Sequence, residues 1–174
     1  MIETSRLLLR MFTPDDVDAM WAIEREPEVM KYVGKGARTL DETRERLLAS
    51  IRHWQQHGFG MMAVVHKETG RVIGRGGLCY LDGTPEVEVG YVLDKPFWGM
   101  GLATEIASGC IRYGFEVLKL GRIVAIARPE NLASRHVMQK LGMVYEKDAR
   151  FYHIDSVYYA INRASYQQKP FQKT

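Results

Sequence analysis

The stretch Trp98-Gly99-Met100-Gly101-Leu102-Ala103-Thr104-Glu105 places two glycines between an alternating apolar run and an amphipathic one. Glycines at 99 and 101 permit positive φ and a close backbone approach. A helix starting just after them presents unpaired N–H groups and the positive end of its dipole. Those features make an anion site, with phosphate a common guest. A plain strand-to-helix turn would use the same residues, so the loop alone leaves both readings open. It is not the dinucleotide fingerprint, because position 104 is Thr where a third glycine is required. Nor is it a P-loop, because no Gly-Lys-Ser/Thr follows. Upstream, Glu86 and Glu88 are spaced to share one face of a strand. A carboxylate there can take a proton directly or through a water, or it can sit in a surface charge pair. Downstream, Asn131 suits a helix cap, and Ser134 falls in the turn that follows. The histidines at 53, 57, 66, 136 and 153 show no partner spacing, although His153 falls in the region that follows the last helix. Cys79 and Cys110 form no CxxC pair and read as buried free thiols. No metal site is expected.

The elements that must carry these residues follow from periodicity. Residues 6–12 read as a first strand. Thr13 caps a helix with Pro14 at its first position and acids in its first turn. Val17, Met20, Trp21 and Glu24 continue it, and Pro27 ends it. Residues 28–38 read as a short helical piece and a loop. Thr39 and Glu42 have capping-box form, and an amphipathic helix runs on to Gly58 at its C-terminal cap. Residues 59–93 form an antiparallel meander of strands near 59–65, 72–80 and 86–93. In the last strand Val87, Val89 and Tyr91 face away from Glu86, Glu88 and Gly90. A helix from about 103 to 118 carries the stripe Ala103, Ile106, Ala107, Cys110, Gly114, Val117 and Leu118. A strand at 122–127, a helix at 131–141 closed by Gly142, and strands near 143–152 and 155–163 complete the order β-α-α-β-β-β-α-β-α-β-β. That order predicts an α+β fold, a central mixed and mostly antiparallel twisted sheet flanked by helices. Residues 1–166 make one domain, and 167–174 a polar tail.

Taken together, three ordered motifs resemble the GNAT acetyltransferase superfamily. They are Glu88-Val89-Gly90-Tyr91-Val92-Leu93 with Phe97 to Glu105, Glu3-Thr4-Ser5-Arg6-Leu7-Leu8-Leu9-Arg10, and Asn131-Leu132-Ala133-Ser134 with Lys140-Leu141-Gly142-Met143. More narrowly they look like the RimJ/RimL-like branch, which acetylates protein N-termini, including those of ribosomal proteins. The resemblance spans about residues 3–163. Trp98 stands where the superfamily usually has Gln or Arg, as it often does in this branch. Met143 replaces a frequent Phe, and Glu146-Lys147-Asp148 lacks a common Glu-Gly. The final strands are joined by a shorter stretch than usual. The last two differences fall where acceptor-binding groups often lie.

The resemblance implies direct attack of an amine on the thioester of acetyl-CoA. Backbone groups of Tyr91, Val92 and Leu93 would run beside the pantetheine. Trp98 and the amides of Gly99, Met100, Gly101, Leu102, Ala103 and Thr104 would wrap the pyrophosphate. Glu88 would be the base, with Glu86 second. Ser134 would donate the proton to the leaving sulfur, and Asn131 would bond the pantetheine as well as cap its helix. Tyr145, Tyr152, Tyr158 and Tyr159 are alternative acids, and Arg135 and Lys140 alternative phosphate contacts. The acceptor would be a protein N-terminal α-amine, with a small amine (polyamine, amino acid or drug) as the alternative. A CoA-binding sensor without activity is a third reading, against which Glu88 and Ser134 speak.

Bulk properties agree with a single enzyme domain. The chain has 174 residues, 46% apolar and 26% charged, and a formal net charge of +3. Its cations are dispersed, so nucleic acid is not an expected partner. No apolar run nears the roughly 20 residues of a membrane span, and Met-Ile-Glu-Thr-Ser-Arg lacks a long apolar segment of signal-peptide type. A cytoplasmic protein is expected. A homodimer is compatible with the sequence.

Overall fold

The computed structural model describes residues 1–168. Eight strands form one sheet: β1 (Ile2–Glu3), β2 (Leu7–Arg10), β3 (Met61–His66), β4 (Val72–Tyr80), β5 (Val87–Leu93), β6 (Arg122–Ala127), β7 (Val144–Phe151) and β8 (Ile154–Asn162). Their spatial order is β1-β2-β3-β4-β5-β6-β8-β7. Every neighbouring pair is antiparallel except β5 and β6. The helices are α1 (Val17–Glu24), α2 (Pro27–Met30), α3 (Leu40–His57), α4 (Leu102–Glu116), α5 (Leu132–Lys140) and α6 (Arg163–Gln168). The parallel pair needs a crossover, and α4 supplies it. None of the described helices is long and apolar enough to cross a membrane.

Alternation along the strands separates the two faces. Val64 and Leu93 pack with Ile106, Ala107 and Cys110 of α4. Their neighbours Ala63 and Val92 pack with Met20 and Ile23 of α1 and Leu47 of α3. Consecutive strand residues point to opposite faces. Thus α4 covers one face and α1 with α3 the other.

The expected α+β architecture is the one observed, with local corrections. The two-residue β1 is too short to show a period. Pro14–Asp16 forms a 3-10 turn ahead of α1, with Pro14 at its first position. Asp16 accepts from the Thr13 N–H and pairs with Arg10, which draws this entry tight. Thr39 and Glu42 form the expected capping box, and Gly58 ends α3 at φ 73°. α4 begins at Leu102 and stops at Glu116, so Val117 leaves the apolar stripe and is 60% exposed. Cys110 is buried, but Cys79 is only half-buried. α6 ends at Gln168, two residues into the expected polar tail, and residues 169–174 of that tail lie outside the described residues.

Candidate functional site

The site begins where the sheet comes apart. β5 and β6 pair at Glu88↔Val124. Beyond that bridge, toward the carboxyl end of β5, a cleft of about 510 Å³ lies against Tyr91, Val92 and Leu93 on one side and Asn131, Ala133 and Ser134 on the other. The backbone of β5 can be followed into it. Asp94 N–H bonds Ile73 C=O, and the β4–β5 register is continuous from Gly74↔Leu93 to Tyr80↔Val87. In an antiparallel pair the bonding residues alternate. Val92 is therefore spent on β4, whereas Tyr91 and Leu93 aim their N–H and C=O toward the cleft. Leu93 C=O is already met there by Trp98 Nε1 at 2.8 Å. That leaves the Tyr91 backbone pair and the Leu93 N–H as the free edge. The sequence alone gave Tyr91, Val92 and Leu93 equal standing; the register separates them.

The glycine loop closes the far end. Gly99 and Gly101 adopt φ 74° and 76°, and Gly101 is the N-terminal cap of α4. A Cβ at Gly99 would meet nothing within 4 Å, so conformation rather than crowding demands glycine there. Trp98, Gly99, Gly101, Leu102, Ala103 and Thr104 all line the cleft. Met100 does not. Its side chain is turned to solvent, and its carbonyl accepts from Arg6 Nη1 at 2.9 Å.

Arg6 belongs to a brace behind the loop. Glu105, in the first turn of α4, accepts from Thr4 Oγ1 at 2.7 Å, Ser5 Oγ at 3.0 Å, Arg6 N–H at 2.8 Å and Arg6 Nε at 2.7 Å. Burial opposes the charge on Glu105, but these bonds from Thr4, Arg6 and Ser5 prevail and hold its carboxyl below the usual range. The opening motif of the chain thus fixes the loop from nearly a hundred residues away. Nothing in local periodicity pairs residues so distant.

At the α5 end, Asn131 Oδ1 accepts from the Ser134 N–H at 3.2 Å, so the expected cap is present. Asn131, Ser134, Val137 and Lys140 line the cleft. Arg135 does not; it donates to Pro129 C=O. The segment 28–38, which sequence reading left vague, supplies Glu28, Val29, Lys31 and Tyr32 to the cleft wall. It is tied to the end of β6 by Arg128 Nη2 donating to Gly34 C=O at 3.1 Å.

Glu88 stands outside this cleft, at the bridge itself. Cys79 is its register partner on β4, and the charges of Arg75 and Asp82 are within electrostatic reach of it. Burial pushes its carboxyl up to about 7; Arg75 works against the rise and Asp82 adds to it. Glu86 is engaged by the Tyr158 hydroxyl and by Arg122. The other tyrosines are elsewhere too: Tyr145 bonds Asp148, Tyr152 meets the Asp82 loop, and Tyr159 is buried in the main core. None of these four lines the cleft. His153 sits with Tyr152 at the β7–β8 turn, both at positive φ. Among the described residues, no three His, Cys, Asp or Glu side chains gather as a metal site would require.

A split parallel pair, a glycine loop capping a helix and a half-buried carboxylate at the split can be compared with known proteins. The model of the Acetyltransferase (GNAT) domain matches residues 6–144. The uncharacterized N-acetyltransferase p20 of Bacillus licheniformis is 32% identical over 151 residues, 86% of this chain and 85% of that one. Among solved structures, a GNAT-family acetyltransferase from Bacillus anthracis superposes at a TM-score of 0.82 with 29% identity, covering 94% of this chain and 98% of the other. A ribosomal-protein-S5-alanine acetyltransferase from Vibrio fischeri shares the fold at a TM-score of 0.77 and 22% identity, over 97% and 98%. The chain is therefore a member of the GNAT acetyltransferase family.

Proposed function

We propose that this protein acetylates the α-amine of a protein N-terminus, ribosomal-protein-like, with acetyl-CoA as donor. The observation that carries the reading is the opening of the sheet beside a carboxylate raised to about 7. Acetyl-CoA, when bound, supplies the thioester carbonyl that the amine attacks. The residues present fit it. The free N–H and C=O of Tyr91 can take up a pantetheine amide as an added strand would. The amides of Gly99 to Thr104 and the start of α4 suit a pyrophosphate. Asn131 faces the same cleft, and Lys31 and Lys140 offer cations.

Glu88 holds a carboxylate where it can receive the amine's proton, directly or through a water. Its strength bears on the acceptor. An α-ammonium near pKa 8 lies about one unit above it, whereas a lysine near 10.4 lies more than about three. An N-terminal acceptor therefore suits this base. Ser134 holds a proton at Oγ for the departing sulfur. The two free cysteines suit a reducing cytoplasm.

The test is a panel of amines and peptides incubated with acetyl-CoA, with release of the free thiol as the readout. Peptides with a free N-terminal alanine should turn over fastest. Preference for a polyamine, an amino acid or an aminoglycoside would overturn the acceptor. No turnover on any, with CoA still bound, would point to a sensor.

A further inference from the structure

The register of β4 on β5 sets Arg75 opposite Val92, Gly77 opposite Gly90 and Cys79 opposite Glu88. Alternation puts these six on one face, the one where Val92 packs with α1 and α3. Their alternates Gly76, Leu78, Val87 and Val89 are buried, but Arg75, Cys79, Glu88 and Gly90 are each half-buried. Solvent therefore reaches this face from Arg75 to Glu88. The middle rung is glycine on both strands. A Cβ at Gly77 would run into Gly60 C=O, whereas one at Gly90 would meet only Met61 Cε, at 3.9 Å. The step between Arg75 and Glu88 is thus open on the Gly90 side.

Positive charge is in excess at the Arg75 end. Arg75 Nε donates to Glu24 Oε1 at 2.8 Å, Arg46 Nε reaches the same carboxylate at 3.0 Å, and Arg38 Nη1 lies 3.8 Å from it. Three guanidinium groups share one carboxylate, so two positive charges are left over. Glu42, another acid near Arg38, is occupied by Thr39 at the start of α3. Arg46 Nη2 is buried with no hydrogen-bond partner among the described residues. Charge left uncompensated in this way is costly. The Arg75 side chain keeps 11% exposure and that of Arg38 23%, so an anion arriving from solvent can complete the set. Arg75 commits Nε to Glu24 and keeps its Nη donors for a carboxylate.

We infer that this recess reads the acceptor: with the amine at Glu88, an acidic side chain on the peptide's second or third residue pairs with Arg75. This rests on the N-terminal acceptor and on Glu88 as its base. The rung of Glu88 and that of Arg75 are four residues apart on β4, about 13 Å at the backbone. The two side chains take up part of that distance, and one or two residues of extended peptide span the remainder. Asp82 lies beyond Glu88, on the side away from Arg75. The recess thus runs from positive to negative, which orients a molecule carrying an amine at one end and a carboxylate at the other.

Matched peptides test this on the unaltered protein. Alanine-terminated peptides with Asp or Glu at position two or three are compared with their Asn or Gln counterparts, with acetyl-CoA as donor. The better acidic peptide should show kcat/KM about tenfold above its amide, the worth of one charge-assisted bond. Calorimetry with CoA-loaded protein should give the same ratio in affinity without any turnover, and added salt should shrink it. Arg75→Gln should bring the ratio close to one, and Arg38→Gln should reduce it several-fold; should either variant fail to fold, the wild-type ratio decides. Equal values for acid and amide peptides overturn the inference and leave the N-terminal reading in place. The converse is read from γ-aminobutyrate and its amide. If no peptide turns over but γ-aminobutyrate is preferred to its amide, the N-terminal reading falls and the anion site stands. No preference in either set removes the anion site.

Discussion

Glu88 combines a half-buried carboxylate with a free approach along the strand: a Cβ at the adjoining Gly90 would meet only Met61 Cε, at 3.9 Å. As the proposed base, Glu88 near 7 gives a rate that climbs with pH through about 7 and then levels. Glu88→Gln should flatten that limb and lower kcat/KM by about a hundredfold, read from a pH–rate profile. The same group makes a stability prediction of opposite sense. Its folded pKa is raised above the unfolded value, so the native state keeps a proton that the unfolded chain has lost. Stability therefore falls as pH rises between about 4.5 and about 7. Glu88→Gln escapes that cost, and its melting temperature should gain on wild type from about pH 5 to about pH 8. A constant difference across that range would mean that Glu88 ionises without penalty. Alternation alone placed Glu88 and Glu86 on one strand face. It could not tell their surroundings apart, because Glu86 is engaged by Tyr158 and Arg122, which arrive from β8 and β6.

The glycine loop illustrates what an element needs beyond its own residues. Its glycines, its helix and its helix cap were all legible from spacing. The Arg6 brace and the Trp98 indole bond were not, because both depend on chain segments brought together by folding. Arg6→Ala would free the Met100 carbonyl and leave Glu105 less balanced beside the loop. Calorimetry should show CoA affinity down by about tenfold, the worth of one charge-assisted bond. Unchanged affinity would show that the loop holds its shape without the brace. Gly101→Glu should abolish CoA binding, since it forces a side chain into positive φ and puts a carboxylate at the proposed anion site. Segment 28–38 was opaque for a different reason. Its contribution to the cleft wall comes from irregular backbone, which leaves no period to count.

Across the whole molecule, one buried cluster joins both halves of the outer layer to the sheet. Glu24 of α1 is fully buried and meets Arg75 of β4 at 2.8 Å, Arg46 of α3 at 3.0 Å and Arg38 at 3.8 Å. In sequence it passed as one more position at helical spacing. Burial opposes its charge, yet Arg75, Arg46 and Arg38 together hold its carboxyl below the usual range. Its contribution is thus present above about pH 4.5 and is lost as pH falls through the lowered folded value. Glu24→Gln should cost about 3–5 kcal/mol at neutral pH, measured by denaturant unfolding, since it leaves buried guanidinium groups without their counter-charge. A loss below about 1 kcal/mol would show that water reaches the cluster. The split between β5 and β6 has its own effect at this scale. The sheet's outer rim, β7, carries Glu146, Lys147, Asp148 and Arg150, charges that discourage another strand from joining. The inner rim at Tyr91 carries no such guard; what shelters it is its place between two layers of helix. A ligand lying along that rim, as proposed for the donor, would supply the strand that the ladder lacks there.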